Sequence, residues 1–261
     1  MPSNQQALRD FVKDRYPGVV PYLRKALRSG RSMRGAGARA LPSAMRRLVG
    51  ARNPKVFCIG RNKTGTTSLK QVLKDLGYCV GDQRTAELLM EDWGKRDFRR
   101  LIRYCHTADA FQDVPFSYAY TFQAMDAAFP GSKFILTVRD SDDQWYQSVV
   151  RFHSKRLAKR TGEQRVPTLC DVKADPYIYP GYLWRVRALV GVAAKSPEAY
   201  PEQPLKAYYN WYNAMVEDYF RHRPDDLLVL NLADADAMQR LCDFLGKPYT
   251  GARVPHLNKS R

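Results

Sequence analysis

The sequence predicts an α/β fold of three layers, a central parallel sheet of about five strands with crossover helices on both faces. Two observations carry that expectation. From Pro54 onward, short apolar runs suited to strands alternate with longer runs whose apolar residues recur every three or four positions. That order builds parallel sheets through helical crossovers. The first strand-like run, Lys55-Val56-Phe57-Cys58-Ile59, also feeds a glycine-containing stretch that opens directly into a helical pattern. The chain of 261 residues accommodates one such domain with an appended segment.

Strands are expected at 55–59, 78–80, 109–114, 133–138 and 227–231. Between them, Leu69, Val72, Leu73 and Leu76 fall at i, i+3, i+4 and i+7, and Gly77 follows as a stop. Phe98, Leu101, Ile102 and Cys105 repeat that spacing, and Tyr118, Phe122, Met125 and Phe129 form a third stripe closed by Pro130-Gly131. Ser141 followed by Gln144 reads as a capping box, starting a helix whose buried stripe is Trp145, Val149 and Phe152. The stretch from Lys155 to Pro180 has no clear period and reads as a long loop. Helices follow over 182–192 and 204–221, and Met238, Leu241, Cys242 and Leu245 mark a last one, stopped by Gly246 and Pro248.

The first 53 residues read differently. Helical stretches over 5–28 break at Pro17-Gly18 and Pro21, and Arg31 to Arg39 is a Gly/Ala/Arg-rich linker. The chain therefore divides into a basic helical or flexible extension, 1–53, and a domain, 54–261, with an excursion around 155–181. Between Arg15 and Lys74 there are 15 Lys/Arg and no Asp or Glu, so this stretch carries almost all of the formal charge of +17. Such a block suits a solvated arm, an acidic ligand, nucleic acid or an anionic membrane surface. No apolar run is long enough to span a bilayer, and no secretory leader is evident. Asp10 and Asp14 argue against an organellar transit peptide. Five scattered cysteines (58, 79, 105, 170 and 242) never form a C-x-x-C pair. They read as thiols of a reducing compartment, which makes the expected location cytoplasmic.

The stretch Gly60-Arg61-Asn62-Lys63-Thr64-Gly65-Thr66-Thr67-Ser68 carries the chemistry. A strand, a glycine loop and a helix N-terminus together direct backbone N–H groups and the helix dipole at one point, where phosphate binds. An ATPase loop reads G-x-x-x-x-G-K-[ST]; here position 66 is Thr and the lysine, Lys63, precedes Gly65. A second run, Lys133 to Val138, ends in Arg139 at the carboxyl edge of the expected sheet, where ligands of open α/β sheets bind. Arginine grips phosphate bidentately. Ser148 lies two turns into the following helix, and Asp113 ends another strand. Each has a structural alternative: a surface Arg139-Asp140 pair, or a carboxylate that caps a loop.

Lys63-Thr64-Gly65-Thr66-Thr67-Ser68 resembles the 5′-phosphosulfate loop of the P-loop sulfotransferase superfamily, whose common form is P-K-[ST]-G-T-T. Arg139 with Ser148 is similar to that superfamily's 3′-phosphate motif. The runs Phe111–Phe116 and Leu241–Asn258 resemble bacterial-type members. The resemblance covers about 54–258 and implies a P-loop, nucleotide-kinase-like fold and transfer of a sulfuryl group from 3′-phosphoadenosine-5′-phosphosulfate (PAPS) to a hydroxyl or amine, leaving 3′-phosphoadenosine-5′-phosphate (PAP). By that resemblance Lys63 is catalytic, Lys63, Thr64, Gly65, Thr66, Thr67 and Ser68 hold the 5′-phosphate, and Arg139 and Ser148 hold the 3′-phosphate. No metal is implied. The chain departs from the pattern in three places. Asn62 replaces the proline, Ser148 stands nine residues after Arg139 where eight is usual, and the late glycine-rich loop is absent, so Lys247, Arg253 or Lys259 would substitute. No histidine base is evident, which assigns that role to Asp113, with His106 and His153 in reserve.

The implied acceptor is a small molecule or glycan. Tyr177, Tyr179, Tyr182 and Trp184, and Tyr208, Tyr209, Trp211 and Tyr212, would either line its pocket or fill the core. No nucleic-acid partner or stable membrane insertion is expected, and the oligomeric state is open, a homodimer among the options. The rival readings are a P-loop kinase, which needs a lysine at position 66, and a non-catalytic basic protein that docks on nucleic acid or membrane.

Overall fold

The computed structural model describes residues 54–193 and 195–255. The basic extension (1–53), Ala194 and residues 256–261 lie outside the described residues, and with them the expectations for the extension and for Lys259. Strands β1 (Val56–Cys58), β2 (Ala110–Gln112), β3 (Lys133–Val138) and β4 (Leu227–Asn231) form one parallel sheet in the order β2-β1-β3-β4. Among the described residues the sheet thus has four strands, not five. Residues 78–80 contribute only a bridge from Val80 to Ala110. The chain leaves the sheet edge at once because the Asp82 side chain caps helix α2 (Gln83–Glu87), accepting from Thr85 N–H at 2.8 Å.

Side chains alternate across a strand, and here both faces are buried. Phe57, Phe111, Phe134 and Leu136 belong to one apolar cluster, packed with α4 (Arg99–Tyr104), α5 (Thr121–Ala128) and the long helix α9 (Glu202–Phe220). The Phe57 ring lies 5.5–6.0 Å from those of Phe111, Phe116, Phe129 and Phe134. Val56, Cys58, Ala110, Ile135 and Leu230 face the other way, onto α1 (Thr66–Asp75) and α10 (Ala237–Phe244). Both helices bury the stripes read from the sequence: Leu69, Val72 and Leu73 in α1, and Met238, Leu241 and Cys242 in α10.

The remaining helices are α3 (Met90–Gly94), α6 (Asp142–Thr161), α7 (Leu169–Ala174) and α8 (Tyr182–Val190). Residues 155–180 are therefore not one loop. The first seven continue α6, whose Leu157 is buried among basic neighbours, and α7 starts in a reciprocal capping box of Thr168 and Asp171.

From β1 the chain runs to β2 on one side and then crosses to β3 on the other. The connections part at the carboxyl ends of β1 and β3, which opens a crevice there. The two strands meet closely at Gly60. A Cβ on that residue would come within 2.1 Å of Thr137 Oγ1 and 2.5 Å of Thr137 backbone atoms. Gly60→Ala is therefore expected to lower stability by about 1–3 kcal/mol or more, read as a lower urea midpoint. An unchanged midpoint would show that β1 and β3 do not approach so closely.

Candidate active site

The loop between β1 and α1 is held from every side by buried groups. Tyr212 O–H donates to Ile59 O at 2.7 Å, and Trp145 Nε1–H donates to Asn62 O at 2.9 Å. Arg61 turns inward. Its Nη1 donates to Ser117 O at 2.7 Å, and its guanidinium lies 4.4 Å from the Tyr118 ring and 4.9 Å from the Tyr208 ring. Thr64 Oγ1 donates to Arg61 O at 2.6 Å and stands 2.5 Å from Thr137 Oγ1, which is left as donor of that pair. The Thr64 hydroxyl thus fastens the loop to β3 and does not face the cleft.

Gly65, at φ 100°, turns the chain into α1, and a Cβ there would come within 2.6 Å of Leu232 Cδ1. The bond from Leu69 N–H to Gly65 O at 3.1 Å begins the helix. The amides of Thr66 and Thr67 therefore precede any carbonyl of the helix that could accept them. With the positive end of the helix dipole, they form a cradle for an anion.

Lys63 and Arg139 meet at this loop. Arg139 Nε–H donates to Lys63 O at 2.9 Å, and Arg139 N–H donates to the Tyr209 hydroxyl at 3.0 Å. Tyr209 in turn stacks on Trp145, with centroids 4.6 Å apart. Burial lowers the Lys63 pKa; Asp113 opposes that shift and Arg139 adds to it. The Lys63 ammonium sits 3.8 Å from the centre of the Phe152 ring. Phe152, expected in the core, is 39% exposed and forms a wall of the cleft. The buried residues of the helix are Trp145, Val149 and Leu157.

Ser141 caps α6 through Gln144 N–H at 3.1 Å, but the Gln144 side chain bonds Asp140 and not the cap residue. Ser148 and its neighbour Gln147 both line the cleft with Arg139. Lys63, Gly65, Thr66, Thr67, Ser68 and Asp113 border the same cleft of about 810 Å³.

Asp113 closes the cleft floor at φ 62°. Of the four described non-glycine residues at positive φ, two are Lys63 and Asp113. Strained backbone concentrates at functional sites, so this points to the same pair as the sequence. Asp113 Oδ1 accepts from Val114 N–H at 3.0 Å and Oδ2 from the Thr66 hydroxyl at 3.1 Å. Burial raises its pKa above the usual carboxylate value, against those two bonds and the nearby Arg61 and Lys63. The Thr66 hydroxyl, expected on a phosphate, is engaged by this carboxylate, and its amide is what faces the cradle.

His153 also lines the cleft, stacked 4.8 Å from Tyr200. His106 packs on Phe129 and precedes β2, at the opposite edge of the sheet. Lys247 lies over Tyr78, also at that far edge, so it does not replace a closing loop. The first aromatic group splits: Tyr177 and Tyr182 line the cleft, whereas Tyr179 is exposed and Trp184 stacks under Lys173. Of the second group, Tyr209 and Tyr212 are core. The sequence reading missed Glu87. It is buried, lines the cleft and accepts from Tyr177 O–H at 2.8 Å. No local motif marks it, since only packing brings α2 beside β2.

A family model described as a sulfotransferase domain matches residues 55–261, the greater part of the chain. No curated protein matches it.

Burial, with Lys63 and Arg156 nearby, pushes the His153 imidazole down to about 4, against the pull of Asp175. Between that value and the ordinary 6.5, the unfolded chain binds the proton and the folded one does not. This group's contribution therefore lowers stability as pH falls through that window. The His153 ring signals should titrate with a midpoint near 4 in an NMR series; a midpoint near 6.5 would place the ring in open water.

Proposed function

This chain belongs to the sulfotransferase family, and from that premise we propose that it transfers a sulfuryl group from PAPS to a hydroxyl or amine acceptor. The observation that carries the reading is the meeting of Lys63 and Arg139 on one loop, through the 2.9 Å bond from Arg139 Nε to Lys63 O. One cation stands beside a helix N-terminal cradle and the other at the end of the neighbouring strand, and we read this arrangement as suited to a nucleotide with two separate phosphate groups. A kinase loop would place its lysine at position 66, which is Thr66.

The donor supplies the sulfuryl group. The amides of Gly65, Thr66, Thr67 and Ser68 hold the 5′-phosphate, and Arg139 with Ser148 holds the 3′-phosphate. As the acceptor oxygen bonds to sulfur, the bond from sulfur to the bridging phosphate oxygen breaks, and its electron pair stays on the phosphate. Lys63 neutralises that growing charge from a fixed position, which is worth more in a desolvated cleft than in water. The acceptor proton passes to Asp113, whose raised pKa brings it nearer the working range of a general base. Thr66 and the Val114 amide orient that carboxylate. These roles call on no metal ion. We read residues 54–261 as the catalytic domain and the basic extension as an appended arm. Five unpaired thiols support a reducing, cytoplasmic setting.

Addition of PAP without magnesium should raise the melting temperature. Arg139→Ala should weaken PAP binding by roughly tenfold or more, as expected for a charged hydrogen bond. An analogue lacking the 3′-phosphate should lose much less; equal losses would reduce Arg139 to a strut for the loop. A second expectation concerns chemistry. Asp113→Asn should slow turnover by about 10²–10⁴, and Lys63→Ala by about 10²–10³, with PAP affinity in Asp113→Asn close to wild type. A wild-type rate in Asp113→Asn would pass the base to another group.

A further inference from the structure

We propose that the acceptor is a hydroxy acid with an apolar body, and that Arg187 receives its carboxylate; this rests on the sulfotransferase reading above. Arg187 lines the cleft from α8, together with Leu183, Val186 and Val190 of the same helix. Its guanidinium is fastened to the segment that follows. Nη1 donates to Ala199 O at 3.2 Å, and Nη2 donates to Ser196 O at 3.1 Å and Glu198 O at 2.8 Å. Nε is buried and has no hydrogen-bond partner.

The other charges of this part of the cleft are balanced. Arg156 grips both oxygens of Asp175 at 2.6–3.1 Å. Glu87 accepts from Tyr177 O–H at 2.8 Å and pairs with Arg84 at 3.4 Å. Among the described residues no carboxylate pairs with Arg187. Burial lowers its pKa, and only Tyr200 opposes that shift; an arginine stays protonated all the same. Carbonyl groups orient the guanidinium but leave its charge in place. Tyr200, also in the lining, feels Arg187, Arg156 and Asp175 together. Two positive charges and one negative therefore gather around one hydroxyl, an excess of one cation.

A positive charge on a partly desolvated wall is costly until an anion meets it. Arginine is the side chain best shaped to receive a carboxylate. Three carbonyls already fix this one, so little side-chain freedom is lost when the ligand arrives. The excess of one charge matches one carboxylate. Leu183, Val186 and Val190 offer an apolar wall to the body of the acceptor, which gains roughly 25 cal/mol for each Å² removed from water. Its hydroxyl goes to Asp113, the proposed base. The competing role for Arg187 is that of a strut tying α8 to residues 196–199.

The test uses the full chain with two series of increasing length, ω-hydroxyalkanoic acids and ω-(4-hydroxyphenyl)alkanoic acids, each beside its primary amide. Transfer from labelled PAPS is measured, with PAP binding in parallel. The acid of the best-reacting length should exceed its amide in kcat/KM by about tenfold or more. Arg187→Gln should bring that ratio close to one, with PAP affinity intact as the report of folding. A strut would lower both members of a pair and leave the ratio unchanged. That result, or wild-type amides that match their acids at every length, overturns the inference. Calorimetry on the wild type with hydroxyl-free arylalkanoates and their amides reads the same preference without turnover, and decides the matter if Arg187→Gln fails to fold. The acid should bind about tenfold more tightly; equal affinity overturns the inference. A wild type that prefers the acid but neither binds PAP nor transfers label would instead defeat the sulfotransferase reading and leave the carboxylate site standing.

Discussion

The structure depends on the way the short loop after β1 is fixed by side chains from elsewhere in the chain. Ile59 O and Asn62 O receive the hydroxyl of Tyr212 and the indole N–H of Trp145, and Lys63 O receives the Arg139 guanidinium. Thr64 is tied to Thr137. A carbonyl shielded from water is costly without such a partner. The loop conformation is thereby over-determined, which is the condition for holding a lysine at φ 72°. It also means that α6, α9 and β3 share one geometric reference, so Arg139 and Ser148 are placed by the same contacts that place Lys63.

Charge is distributed along the cleft in keeping with that frame. The end beside the loop collects Lys63, Arg139 and the helix N-terminus. The far end is lined by apolar residues together with Arg156, which is paired with Asp175, and Arg187, which donates to backbone carbonyls and keeps its charge. Asp113 stands between the two, close enough to the cations to feel them and buried enough for its pKa to rise. Preorganised charge of this kind does not have to be rearranged during the reaction. The cation of Lys63 on the Phe152 face extends the pattern, since an aromatic ring receives an ammonium that is partly out of water.

Much of the site was legible in the residues because its parts are local. The loop, the cap at Ser141 and the strand ending at Arg139 are each read from consecutive positions. Errors arose where a neighbour decided the outcome. Thr64 and Thr66 sit in a phosphate-type motif, yet their hydroxyls went to Thr137 and Asp113, because those strands end within hydrogen-bonding reach. Phe152 lies at the edge of the face that Trp145 and Val149 bury, and it is left on the cleft wall, whereas Leu157 is buried beside Val172 and Leu183. Residues 155–161 were masked as helix by dense Lys and Arg, which are at home on a solvated helix face. The expected strand at 78–80 shrank to a bridge because Asp82 caps a helix almost at once.

The sequence by itself determined the alternation of strand and helix, the turn that presents amides to an anion, and the order of Lys63, Asp113 and Arg139 along the chain. Periodicity and capping act over a few residues and need no partner. Only the tertiary structure decided that Glu87 joins Asp113 in one cleft, that Tyr209 and Tyr212 brace the loop while Tyr177 and Tyr182 line the pocket, and that Arg156 pairs with Asp175. Those outcomes depend on which face of one element meets which face of another, and a chain fixes its own faces long before it fixes what stands opposite them.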